Sequence, residues 1–159
     1  MDELAVFNAS LVEEVAAEAS SSGISPADAF FERMAGLLEA EGEIATADRV
    51  AFLANSQGKT VRIDGIGGDP RESDGILSVI VSDFHDGDAA VKINASDAKK
   101  AFGHLINFVA AARRAAFRED LIEGSVEAGA AATVTSAWSS ITKIKLILMT
   151  NATYSARTD

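Results

Sequence analysis

The chain has 159 residues, 48% of them apolar and 24% charged, with no cysteine and a formal net charge of −10. That length suits one domain able to bury its own core, the composition excludes a disordered tail, and the missing thiols exclude disulfides and thiolate metal sites. The acidic balance, with a pI near 4.6, opposes a free-standing nucleic-acid binder, because phosphate attraction depends on Lys and Arg.

Met1-Asp2-Glu3-Leu4 carries no basic leader and no apolar run approaches the ~20 residues that span a bilayer. A cytoplasmic protein with no membrane partner is expected. The Asn-x-Ser/Thr triplets at Asn8, Asn94 and Asn151 then carry no glycosylation meaning.

Leu4, Phe7, Leu11 and Val15 recur at helical spacing and predict a first helix over residues 3–20, ended by Ser20-Ser21-Ser22-Gly23. Ser25 before Pro26, with Asp28 third, is an N-cap signature. It opens a second helix to about Ala40 that buries Phe30, Phe31, Met34, Leu37 and Leu38. Residues 43–58 are ambiguous, with a short helix over 45–53 as one reading and a turn at Asn55-Ser56-Gln57-Gly58. Thr60-Val61-Arg62-Ile63-Asp64 alternates as a strand does. The glycine-rich segment 65–75 reads as a reversal, and residues 76–84 are apolar almost throughout, as in a strand covered on both faces. The short link predicts an antiparallel pair with 76–84 central.

Residues 95–122 read as one long helix and Ser125 as the cap of another to about 140. Residues 143–150 form a last strand, parallel to its neighbour because a helical crossover enters it. The predicted fold is α/β, a restriction-endonuclease-like mixed sheet flanked by helices in the order ααββααβ, as a single domain over 1–159.

Two strands bearing Asp64 and the 79–83 stretch, between helices, resemble the core of the PD-(D/E)XK nuclease family. In that pattern one carboxylate ends a strand, and a second carboxylate and a lysine lie two apart on the next. Alternate strand residues share a face, so both point at a divalent cation and the scissile phosphate. Asp64 fits the first position, but the register sets Val81 where the resemblance calls for a carboxylate and Asp83 where it calls for lysine. Val81 cannot ligate a metal, and an aspartate at 83 reverses the charge that should stabilise the attacked phosphate.

Asp28-Ala29-Phe30-Phe31-Glu32, Thr46-Ala47-Asp48-Arg49, the run from Arg62 to Pro70, the stretch from Leu77 to Phe84 and that from Lys143 to Asn151 together resemble the N-terminal region of the abortive-infection phage-resistance (AIPR) family. Members are generally longer, so the resemblance implies that this chain is a piece of a larger protein. It also implies a non-catalytic or weakly active nuclease-like scaffold or regulatory domain of a bacterial phage-defence protein. The expected partners are the C-terminal region of that parent protein and a second copy of the chain, with nucleic acid disfavoured by charge. Two alternatives stand beside this reading: a metal-dependent DNA or RNA hydrolase with a rearranged carboxylate site, and an oligomerisation module.

No cofactor is expected for the first reading, and Mg²⁺ or Mn²⁺ for the hydrolase. Asp64 and Asp83 are the catalytic candidates, and Asp64, Asp83, Glu32 and Asp74 the metal-ligand set. Lys100, Arg114 and Arg118 fall within about 40° of one another on an ideal helix and are the candidates for phosphate contact. A solvated face paired with Asp97, Glu119 and Asp120 is the plainer reading of the same residues.

Other motifs are weak. Gly65-Ile66-Gly67-Gly68 lacks the helix and the Gly-Lys-Ser/Thr of a phosphate loop. Asp83, Asp86 and Asp88 lack EF-hand spacing and a closing glutamate. His85 and His104 have no cysteine partners for zinc, and Ser140-x-x-Lys143 matches a nucleophile pair in letters only.

Overall fold

The computed structural model describes residues 3–87 and 91–155. Two helices open the chain, α1 (Glu3–Ser22) and α2 (Pro26–Ala40). α2 starts as its sequence dictates, with Ser25 Oγ accepting the Asp28 N–H at 3.1 Å and proline in the first turn. It buries Ala29, Phe30, Phe31 and Ala35, whereas Leu37 is exposed rather than buried as expected. The inner stripe of α1 also differs from expectation. It is Asn8, Leu11, Val15 and Ala19, while Leu4 and Phe7 are 56% and 68% exposed. Asn8 points inward because Asn151 donates to its Oδ1 at 2.8 Å, which rotates the helix away from its most apolar face.

The expected short helix over 45–53 is instead a strand, β1 (Asp48–Ser56), in a hairpin with β2 (Lys59–Gly67). Gln57 and Gly58 turn the hairpin with φ of 53° and 76°, the mirror-type turn whose twist suits paired strands. The register shifts between Arg49 and Phe52, where Ala51 has φ 52°. This bulge sets Asp48 and Arg49 out of phase with the period-two burial that runs from Val50 to Ser56, where the exposed Leu53 masks the alternation in the sequence.

β3 (Ile76–Asp83) follows, then β4 (Lys92–Asn94), α3 (Ala95–Ala112), α4 (Ala115–Asp120), α5 (Val126–Ser136), β5 (Lys143–Thr150) and β6 (Thr153–Ser155). The main sheet has the order β1-β2-β3-β5, and β4 and β6 form a separate parallel pair. As expected, β3 is central, antiparallel to β2 and parallel to β5 in the register Ile76↔Lys143 through Asp83↔Thr150. The order ααββααβ needs correction: β1, β4 and β6 are additional strands, and the helix expected over 95–122 breaks at Arg113 and Arg114. Arg113 stacks there on the Trp138 ring at 4.0 Å, and Phe117 turns into the core against Phe52 and Phe108.

Helices cover both sheet faces. One core gathers Val61, Ile63, Leu77, Val79 and Val81 with Leu105, Phe108 and Val134 from α3 and α5. The other sets Ile80 and Met149 against Val15, Phe30 and Phe31 of α1 and α2. β3 contributes to both, which is why its sequence is apolar on successive residues.

Candidate functional site

β2 and β3 pair only at Gly65↔Ile80, Ile66↔Val79 and Gly67↔Ser78. Gly65 is required there, since a Cβ would run into the Phe31 ring. Continuing the register sets Asp64 across from Val81, but the join at this level is made by side chains. Asp64 Oδ2 accepts the Ser82 N–H at 2.8 Å, and Arg62 Nη2 donates to the Ser82 carbonyl at 2.9 Å.

Arg62 Nη2 also lies 2.9 Å from Asp64 Oδ2, and Arg49 Nη1 3.8 Å from Oδ1. Arg49 is fixed by three further contacts: Nε to Asp28 Oδ1 at 3.0 Å, Nη1 to the Asp64 carbonyl at 3.2 Å, and its guanidinium over the Phe31 ring at 5.1 Å. Asp64 is thus buried, 7% exposed, between two guanidiniums and a backbone N–H. A carboxylate so placed has its charge offset by protein cations and its lone pairs occupied by donors.

The other carboxylates of the expected metal set have surroundings of their own. Asp83 ends β3 and its Oδ2 is 3.0 Å from His85 Nε2. Asp74 precedes the same strand, in a turn with φ 55°, so roughly 25 Å of strand separates it from Asp83. Glu32 on α2 borders a hollow with Phe31 and Arg49. Among the described residues no group of three or more His, Asp or Glu is arranged to hold an ion. Asp88, from the weak calcium motif, lies outside the described residues.

The expected basic stripe is also dispersed, because α3 and α4 are separate helices. Arg114 Nη2 donates to Ser56 Oγ at 2.8 Å. Arg118 Nη1 donates to the Ala112 carbonyl at 2.8 Å and to Thr135 Oγ1 at 3.2 Å, tying the α3 end to α5. Lys100 alone of the three borders the cavity at the end of β3, of about 230 Å³, which Val81 and Asp83 also line. The two positions that the nuclease resemblance singles out on β3 therefore face one hollow.

His104 lies on that hollow too, and burial together with the nearby Lys100 and Arg62 charges holds its imidazole below the usual value. Sequence reasoning set it aside for want of zinc partners. It also missed Asn151, whose Oδ1 accepts the His85 N–H at 2.8 Å while its Nδ2 donates to the His85 carbonyl at 2.7 Å and to Asn8. This amide fastens α1, the loop after β3 and the end of β5 together. Nothing in the local sequence of Asn8 or Asn151 signals the pairing, since 143 residues separate them.

A family model described as the N-terminal domain of abortive infection phage resistance protein matches residues 30–159. No curated protein and no solved structure matches the chain. No helix among the described residues is long and apolar enough to cross a membrane.

Proposed function

The chain belongs to the family of N-terminal domains of abortive infection phage resistance proteins, and from that premise we propose that it is a non-catalytic, nuclease-like scaffold or regulatory domain of a phage-defence protein. The observation that carries this reading is the state of Asp64. Metal-dependent phosphodiester hydrolysis needs carboxylates free to ligate an ion and positive charge at the phosphate. Here the carboxylate in the first catalytic position is spent on Arg62, Arg49 and the Ser82 N–H. Val81 offers no ligand beside it, and Asp83 brings negative charge where a lysine is needed.

The mixed sheet with helices on both faces and the β2–β3 register are compatible with a nuclease-derived core whose catalytic strand has been turned to a structural task. In this reading the C-terminal region of a longer protein, or a second copy, is the partner the domain organises. Calorimetric titration of the chain with Mn²⁺ tests the assignment. No heat beyond dilution is expected. Stoichiometric binding lost in Asp64→Asn would instead favour a metal-dependent hydrolase with a rearranged carboxylate site.

A further inference from the structure

Beside the carboxyl ends of the parallel strands β3 and β5, the 230 Å³ cavity holds basic side chains that the fold does not use. Val81 and Leu148, paired in register, form its floor. Its wall is one face of α3, where Asp97, Lys100 and His104 recur at spacings of three and four. Crevices at the carboxyl ends of parallel strands are where open α/β sheets take ligands.

Arg62 enters from a third side, reaching over the gap where β2 has parted from β3. Its hold on Asp64 and on the Ser82 carbonyl fixes the guanidinium in advance of any ligand. The side chains of Lys100 and His104 make no hydrogen bond or salt bridge among the described residues. The two carboxylates at the cavity, in contrast, are committed. Asp83 pairs with His85 at 3.0 Å, and Asp97 Oδ2 accepts the Asn94 N–H at 2.9 Å in the capping box of α3. Among the described residues the cavity therefore has two basic side chains without a hydrogen-bonded partner, while Asp83 and Asp97 keep their charge at its edge but have an oxygen engaged elsewhere, which leaves Lys100, His104 and Arg62 as its available donors.

We propose that this cavity binds a small phosphate monoester, its phosphoryl group held by Lys100, His104 and Arg62 and its carbon part packed on Val81, Ile93 and Leu148. Ammonium, imidazole and guanidinium donors converging from two elements suit a tetrahedral oxyanion. The small volume and the chain's net charge of −10 favour one phosphoryl group over a nucleic-acid strand, which needs a longer row of cations. The site shares Val81 and Asp83 with the two β3 positions of the nuclease resemblance, and the inference rests on the reading that no metal ion is held there.

The chain has two histidines, so imidazole NMR signals of the whole protein report on His104 with little ambiguity. Titration with glycerol 3-phosphate at constant ionic strength should shift them saturably, and chloride should not. Lys100→Met should weaken binding by about tenfold or more, the worth of a charge-assisted hydrogen bond, with the melting temperature unchanged. Arg114→Met should leave binding as it is. Inorganic phosphate should saturate the same signals at higher concentration, since it lacks the carbon part. The proposal is overturned by shifts that do not saturate, by equal response in Lys100→Met, by equal affinity for inorganic phosphate, or by a short oligonucleotide that binds tighter than the monoester.

Discussion

The Arg62 guanidinium and the Asp64 carboxylate, two residues apart on β2, meet at 2.9 Å and together grip a single residue of the next strand, Ser82, by its N–H and its carbonyl. They stand in for ladder hydrogen bonds where β2 and β3 separate. Asp64→Ala would strand two guanidiniums and an N–H, and a loss of ~3 kcal/mol is expected, as for a buried pair deprived of one partner. The double substitution Arg62→Met with Asp64→Leu should cost less than Asp64→Ala alone. Urea midpoints of the three proteins check this, and an unchanged midpoint for Asp64→Ala would remove the anchor.

Gly65→Ala tests the packing directly behind that anchor. The added methyl meets the Phe31 ring, so a loss of about 1–3 kcal/mol is expected from overpacking. A companion, Ile80→Asp, places a carboxylate at a fully buried position between the α1–α2 layer and the sheet. It should unfold the domain or lower its melting point steeply, at a cost of several kcal/mol. A drop of only a degree or two would mean that β3 is not the central strand of the core.

The parts of this architecture that were legible in the sequence are those set by local rules. Ser25-Pro26 fixes the start of α2, and the unbroken apolar run 77–81 marks a strand covered twice. The parallel β5 follows from its helical crossover. What was not legible depends on contacts distant in sequence. Val50 and Phe52 turn inward on β1, but the apolar Ala51 and Leu53 on its exposed face obscure their alternation. Asn8 outranks Phe7 on the inner face of α1 because its amide partner is Asn151. The stripe of Lys100, Arg114 and Arg118 assumed one straight helix, and the break at Arg113 gives each cation its own surroundings. Asp64 was legible as a special carboxylate, but its surroundings were not, because Arg49 reaches it from a strand that the sequence left ambiguous.

His104 sets a pH dependence whose sign is fixed. Its imidazole is held below the ordinary value of 6.5 by burial, then by Lys100 and Arg62, so the unfolded chain binds that proton more readily than the folded one. Its contribution is complete above about pH 6.5 and is lost as the pH falls through the unfolded imidazole value toward the folded one. His104→Gln should therefore flatten the loss of stability between about pH 7.5 and about pH 5.5, measured as the difference in urea midpoint between variant and parent. An identical slope would mean that the folded and unfolded imidazoles titrate alike.

Gln57 occupies a left-handed backbone position, φ 53°, in the β1–β2 turn. Asparagine tolerates that conformation better and completes the Asn-Gly pair that such hairpins favour. Gln57→Asn should stabilise the domain by on the order of 0.5 kcal/mol, seen as a rise in melting temperature. A fall would indicate a role for the glutamine side chain that its contacts do not reveal.

Incubation of the chain with single- and double-stranded DNA and RNA in Mg²⁺ or Mn²⁺ tests the central claim most directly. The expected result is no cleavage above a metal-free control, because Asp64 serves Arg62, Arg49 and Ser82 instead of an ion. Cleavage that requires the metal and disappears in an Asp64→Asn protein shown by circular dichroism to be folded would contradict it.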